Sequence, residues 1–361
     1  MTTAHRQQTY TQLHARLAQL TDAQLLALLD NTQVEDGWGR SETITLGTDK
    51  IFVKRVSVTD KEVAHYPSTK NLYGLPPTFN FGLDSVGMGA FRELAASLKV
   101  TEWVLSGAND SFPLLYHHRL LPFPGPHQTY DPAWLESYVA SWGSSEQVGT
   151  YFQDRTTAKS ELLLFFEHIP HTLRPWLQEN LAQIDWALEQ LLAIIDFLHQ
   201  HGLTHFDAHS DNVLTDGKKI YLADFGLALD RGFDLQGVEK QFFDQHNYYD
   251  YGQAISNLFV PIYDRYCAQP ETKQQQLKKL LSLPADTDNF YPLTTALFEQ
   301  IEQVDASGLL PLPAAYRDSV VAHRPVLRAM IAFYAAMRKN QQKNTPFPND
   351  EIRKWLQNHR G

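Results

Sequence analysis

The apolar residues of this chain change their period once, near Pro170, and that change limits the fold more than any other feature. Upstream of it the pattern is strand-like in several places. Glu42–Leu46 alternates polar and apolar residues, Gly47-Thr48-Asp49 supplies a turn, and Lys50–Val58 resumes in β-rich form, which predicts a β-hairpin. Phe112–Leu121 and Glu161–Ile169 are apolar runs of strand rather than helix length. Beyond Pro175 the period turns helical. Leu181, Ile184, Leu188, Leu191, Ile195 and Leu198 share one face of a helix over Leu181–Gln200, and Gly202 lies just past its end. Ala322–Met337 and Glu351–Leu356 repeat the pattern. Strands first and helices second predict an α+β chain with two unequal lobes.

The remaining segments fit around that order. Leu13, Leu17 and Leu20 recur at helical spacing, and Thr21-Asp22-Ala23-Gln24 reads as the start of a second short helix. Residues 66–89 are rich in Pro, Gly and Asn and read as loop. Ala90–Leu105 is a predicted helix, and Asp131–Trp142 another that stands outside the sheet. The expected division is a helical extension over 1–30, a first lobe over 31–170 with an insertion at 66–90, and a helical second lobe over 171–361.

The chain has 361 residues, 43% of them hydrophobic, enough for a core of that size. A net charge of −10 argues against nucleic-acid binding, which needs a clustered basic surface. Cys267 is the single cysteine, so an internal disulfide framework and a Cys-rich zinc site are both ruled out. Met1–Leu20 lacks the apolar centre of a signal peptide, and no run approaches the ~20 apolar residues that span a bilayer. The expected setting is cytoplasmic, with no membrane partner.

One stretch concentrates chemistry. After the Leu181–Gln200 helix come His205-Phe206-Asp207-Ala208-His209-Ser210-Asp211-Asn212, a turn at Thr215–Lys218, a strand at Ile220–Ala223, and then Asp224-Phe225-Gly226. His205-x-Asp207-x-x-x-x-Asn212 resembles the catalytic loop of protein kinases, and Asp224-Phe225-Gly226 resembles their metal-binding triplet. The resemblance covers residues from Asp30 to about Phe259 and implies a two-lobed protein-kinase-like fold that uses ATP and Mg²⁺. It makes Asp207 the catalytic base and Asn212 and Asp224 the metal ligands. Hard oxygen donors of this kind suit magnesium, which completes its shell with phosphate oxygens and water. His209 departs from the lysine usual in protein kinases; His-x-Asp-x-His-x-x-Asn is similar to aminoglycoside and choline kinases, and His209 there is a donor to the transferring phosphoryl group.

The same resemblance assigns the upstream half. Phe52-Val53-Lys54-Arg55-Val56 is similar to the family's lysine strand, with Lys54 favoured over Arg55 as the phosphate-holding cation. Glu93 is the expected partner of Lys54, and Glu62 is the competitor, although Tyr66-Pro67 leaves little room for a helix around it. Gly37 and Gly39 stand where a phosphate-covering loop is expected. Glu167-His168-Ile169 is the expected hinge, with the backbone of Glu167 and Ile169 meeting the adenine edge.

No Ala-Pro-Glu follows Gly226, and Asn247–Gly252 loosely resembles the start of the next large helix, so the intervening segment is short. A short segment offers little platform for a peptide. Asp224–Ala228 nevertheless reads as closer to protein kinases than to antibiotic kinases. The pattern resembles atypical bacterial serine/threonine kinases, with a small-molecule hydroxyl as the alternative acceptor. A nucleotide-binding pseudokinase is the third reading, weakened by the presence of Lys54, Asp207, Asn212 and Asp224.

Overall fold

The computed structural model describes residues 3–29, 40–123 and 131–359. It contains both helices and antiparallel strands and divides into two compact units, Met1–Pro170 with Tyr221–Phe243, and His171–Ile220 with Asp244–Gly361.

The first unit is built on an antiparallel sheet of β1 (Arg40–Leu46), β2 (Asp49–Val58), β3 (Leu115–Pro122) and β4 (Ser160–Glu167), in the order β1-β2-β4-β3. Lys54 of β2 stands opposite Ser41 on one side and Leu164 on the other. Because side chains alternate along a strand, the sheet sorts its residues cleanly. Val56, Val58, Leu115, Leu162 and Leu164 pack against Ala90, Phe91 and Leu94 of the Ala90–Ser106 helix. Arg55, one residue from Lys54, joins Glu161 at 2.8 Å and Glu42 at 3.5 Å. The Thr3–Gln19 helix buries Leu13 and Leu17 and lies on β3, where His14 Nδ1 is 2.8 Å from the Tyr116 carbonyl oxygen.

Part of the predicted loop at 66–90 joins the helices Pro132–Ser141 and Glu146–Thr156 in a second small core, which includes Leu75, Phe79, Met88, Trp142 and Tyr151. The Glu146–Thr156 helix was not among the expected elements. Its apolar face is only Val148, Tyr151 and Phe152, interrupted by Gly149, and a Ser145 cap starts it. β3 begins at Leu115 rather than Phe112, because Pro113 has no N–H to give a ladder. A one-turn helix at Asp60–Val63 forms despite Pro67, closed by a capping box between Thr59 and Glu62.

In the second unit the helix begins with a 3₁₀ turn at Leu181–Gln183 and continues as Ile184–Gln200. The Tyr249–Ser256 helix packs on it and on a long helix, Ala314–Lys339, that runs through Pro325 and so starts well before the expected Ala322. The approach is close: a Cβ on Gly252 would stand 2.5 Å from Met330 Sδ and 2.7 Å from Ile352 Cδ1 of the Asn349–His359 helix. No described helix is long and apolar enough to cross a membrane.

Candidate active site

In the first unit, β2 and the Ala90–Ser106 helix bring Lys54 and Glu93 together. Lys54 projects from the sheet face that the helix covers, and Glu93 occupies the first turn of that helix. Lys54 Nζ lies 2.7 Å from Glu93 Oε1 and 2.7 Å from Asp224 Oδ1. Burial works against the ammonium, but the carboxylates of Asp224 and Glu93 outweigh it and hold Lys54 above its usual pKa. Glu62 has a different task. Its Oε2 accepts from Thr59 N and its Oε1 from Ala90 N, both at 2.9 Å, so it anchors the start of the helix that carries Glu93.

Asp224 is fixed from both sides. Leu222 N donates to Ser111 O at 3.0 Å, and the Phe225 ring is buried against Phe112 with centroids 6.0 Å apart. Asp224 itself has φ +60°, a left-handed conformation that aspartate tolerates better than most residues. A Cβ on Gly226 would come 3.2 Å from Asp224 Oδ1 and 3.3 Å from Glu93 Oε2, so the triplet ends in glycine for want of space. The Glu93 side chain is 6% exposed whereas that of Asp224 is 41% exposed, which leaves the aspartate open to a ligand and the glutamate not.

In the second unit, Asp207, His209 and Asn212 lie on one loop whose backbone is held by the Tyr249–Ser256 helix and its C-cap. Asp250 accepts from His205 N at 2.6 Å and Phe206 N at 2.8 Å, Gln253 Oε1 from Ala208 N at 2.7 Å, and Asn257 Oδ1 from Ser210 N at 2.9 Å. Asn257 Nδ2 returns a bond to the Ala208 carbonyl at 3.1 Å. Residues 250, 253 and 257 recur at helical spacing, so one stripe serves the whole loop. Phe206 sits at φ +62°, a strained position for a bulky residue, and its ring packs on Tyr249 at 5.2 Å. Burial pushes Asp250 up to about 7; its two backbone donors oppose this and Asp207 adds to it.

Asn212 Nδ2 donates to Asp207 O at 3.0 Å and Asp207 Oδ2 at 2.9 Å, so its amide oxygen points away from those bonds. His209 Nδ1 accepts from Asp211 N at 3.2 Å, which puts the proton of a neutral ring on Nε2, 3.5 Å from Asp207 Oδ1. The atoms expected to hold a metal, the Asn212 amide oxygen in the second unit and the Asp224 carboxylate in the first, are each hard oxygen donors of the kind that Mg²⁺ takes.

The other expected positions are less informative. Glu167 ends β4; its N–H donates to Leu114 O at 2.8 Å, and its carboxylate takes the buried Arg6 guanidinium at 2.6 Å. Ile169 follows just beyond the strand. Gly37 and Gly39 lie outside the described residues. The roles of Asp250, Gln253 and Asn257 and the capping role of Glu62 were not expected from the sequence. The available signal for the first was a carboxylate set among the aromatic residues Tyr248, Tyr249 and Tyr251, and for the last a Thr-x-x-Glu box at Thr59–Glu62.

Comparison with known proteins points the same way. Over 155 residues, 43% of this chain, the sequence is 25% identical to a probable serine/threonine-protein kinase of Bacillus subtilis, YbdM, and spans 54% of that protein. It is 31% identical over 97 residues to cyclin-dependent kinase C-3 of Oryza sativa, covering 26% of this chain and 29% of the relative. It is 47% identical over 55 residues to a serine/threonine-protein kinase-like protein of Arabidopsis thaliana, covering 15% and 16%. The matches thus span about half the length of these curated relatives or less. No family model matches the chain. Similarity to several kinases, at modest identity, supports a protein-kinase-like superfamily.

Proposed function

We propose that this chain is an ATP- and Mg²⁺-dependent serine/threonine protein kinase of the two-lobed protein-kinase-like fold. The observation that carries the reading is the Lys54 ammonium held at 2.7 Å by both Glu93 and Asp224. A strand lysine fixed by a helix glutamate is the arrangement that holds nucleotide phosphates in this chemistry. Lys54 stays charged and orients the α- and β-phosphates. Glu93 keeps it from swinging away. Asn212 and Asp224 would hold the magnesium, which when bound neutralises charge on the phosphates. Asp207 accepts the proton of the acceptor hydroxyl as the new P–O bond forms and the bond to the ADP leaving oxygen breaks. His209 Nε2–H donates to the transferring phosphoryl group. In this reading the sequence assigns Gly37 and Gly39 to the phosphate-covering loop and the backbone of Glu167 and Ile169 to the adenine edge.

A small-molecule hydroxyl is the second acceptor class. It is favoured by His209, which stands beside Asp207 in place of lysine. The test is incubation with γ-labelled ATP and magnesium beside Asp207→Ala. Label on the protein or on an added protein substrate, lost in the variant, is the expected result. Turnover stimulated only by small metabolites or cationic antibiotics would move the acceptor to the second class. Nucleotide binding with no transfer to anything would sink the kinase reading in favour of a pseudokinase.

A further inference from the structure

The helix that carries Glu93 is tied to the segment that follows Gly226, all within the first unit. Arg92, the neighbour of Glu93, is 1% exposed and lies 2.7 Å from Glu239 Oε1, itself fully buried. The other Glu239 oxygen accepts from Gln236 N at 3.0 Å and caps the Gly237–Gln245 helix. Arg92 Nε donates to Thr69 O at 2.7 Å, and Thr69 Oγ1 accepts from Asp234 N at 2.9 Å. Two turns along the same face, Lys99 pairs with the buried Asp230. Met88 N reaches Gly226 O at 3.4 Å.

Kinases that order this segment by phosphorylation do so through a new pair between the phosphate and an arginine, and only then are the lysine–glutamate pair and the metal-binding aspartate both in place. Here the anion is already part of the chain. Both Glu239 oxygens are bonded inside the protein, and Arg92 gives Nη2 to Glu239 and Nε to Thr69 O, while its buried Nη1 has no hydrogen-bond partner among the described residues. On adjacent helix positions, Arg92 faces the segment and Glu93 faces Lys54.

We propose that Arg92 and Glu239 are positioning residues that keep Glu93 and Asp224 set on Lys54 with no phosphate added to residues 226–243. The inference rests on the phosphotransferase reading of Lys54, Glu93 and Asp224. The enzyme is assembled as synthesised, and control of its activity lies outside this segment.

The test uses the full chain treated with phosphatase and verified as phosphate-free by intact mass. In the first arm, amide hydrogen exchange across 226–243 is expected to be slow. Exchange at the rate of an open loop would overturn the proposal. In the second arm, Arg92→Met with Glu239→Met removes both charges together, so that neither is left buried without its partner, and frees Gln236 N and Thr69 O. The expected result is a retained cooperative melt and a kcat lowered at least about tenfold, with KM for ATP within about threefold. An unchanged kcat would overturn it. Should that double variant not fold, Arg92→Lys and Glu239→Gln take its place. The lysine, which keeps the pair, is expected to retain most of kcat and the glutamine to lose it, and equal values in the two would overturn the proposal. Wild-type protein that transfers phosphate to no acceptor sinks the kinase reading alone, and the exchange arm still decides the tether.

Discussion

Lys54 and Glu93 meet at 2.7 Å because a strand and a helix distant in sequence present them to the same face of one sheet. The pair is enclosed enough that neither partner is spared cheaply. Glu93→Gln is expected to lower phosphotransfer by about 10²-fold, and Lys54→Met by a similar factor. Residues acting as one unit are not additive, so the double variant should be little worse than either single one. Steady-state kinetics decide it, and falls that multiply would show two independent roles.

Asp224 is the exposed member of the group, and its expected contribution is to the metal. Asp224→Ala should weaken nucleotide binding in magnesium far more than in EDTA, read by calorimetry. Equal losses under both conditions would remove Asp224 as a metal ligand.

Asp250 links the loop to pH. Its folded pKa of about 7 lies above the ordinary carboxylate value, so the folded state holds the proton through a range in which the unfolded chain has lost it. The stability it contributes is therefore full below about pH 4 and is lost as pH rises through about 7, on the order of a few kcal/mol. Urea midpoints of wild type and Asp250→Asn should draw closer, or cross in favour of the variant, between pH 5 and pH 8. Parallel pH slopes would mean that Asp250 is ionised throughout.

Gln253 holds a single buried amide, that of Ala208. Gln253→Leu leaves it unpaired at a cost of about 1–3 kcal/mol and should lower kcat through the displaced loop. Gln253→Glu keeps an acceptor and should restore most of both. A leucine variant as stable and active as wild type would show that the loop needs no such support.

His117 is predicted to weaken the first unit in acid. Burial, then Arg119, His118 and His14, push its pKa down to about 4. The unfolded chain binds the proton first, so stability is full above about pH 6.5 and falls towards pH 4. His117→Gln should flatten the melting temperature between pH 7 and pH 4.5, and an unaltered slope would rule this group out as its source.

The sequence by itself determined the hairpin, the long helix before the loop and the order of the chemistry. Alternation over Glu42–Val58 is enough to specify the hairpin, and the period of Leu181–Gln200 the helix, because burial of one face demands that spacing. Tertiary structure decided which groups meet. Both Glu62 and Glu93 were available to Lys54, and only the packing of the Ala90–Ser106 helix on the sheet sends one to the lysine and the other to the amide of Ala90. Gln253 and Asn257 carry no sequence signal for their work, and Asp250 only its place among three tyrosines, since all three bind backbone amides, which every residue but proline possesses. The Glu146–Thr156 helix was hidden for a related reason: its few apolar residues find their partners in the 66–90 insertion rather than in their own period. A periodic pattern reports the face a segment buries, whereas the identity of what it is buried against is a property of the folded chain alone.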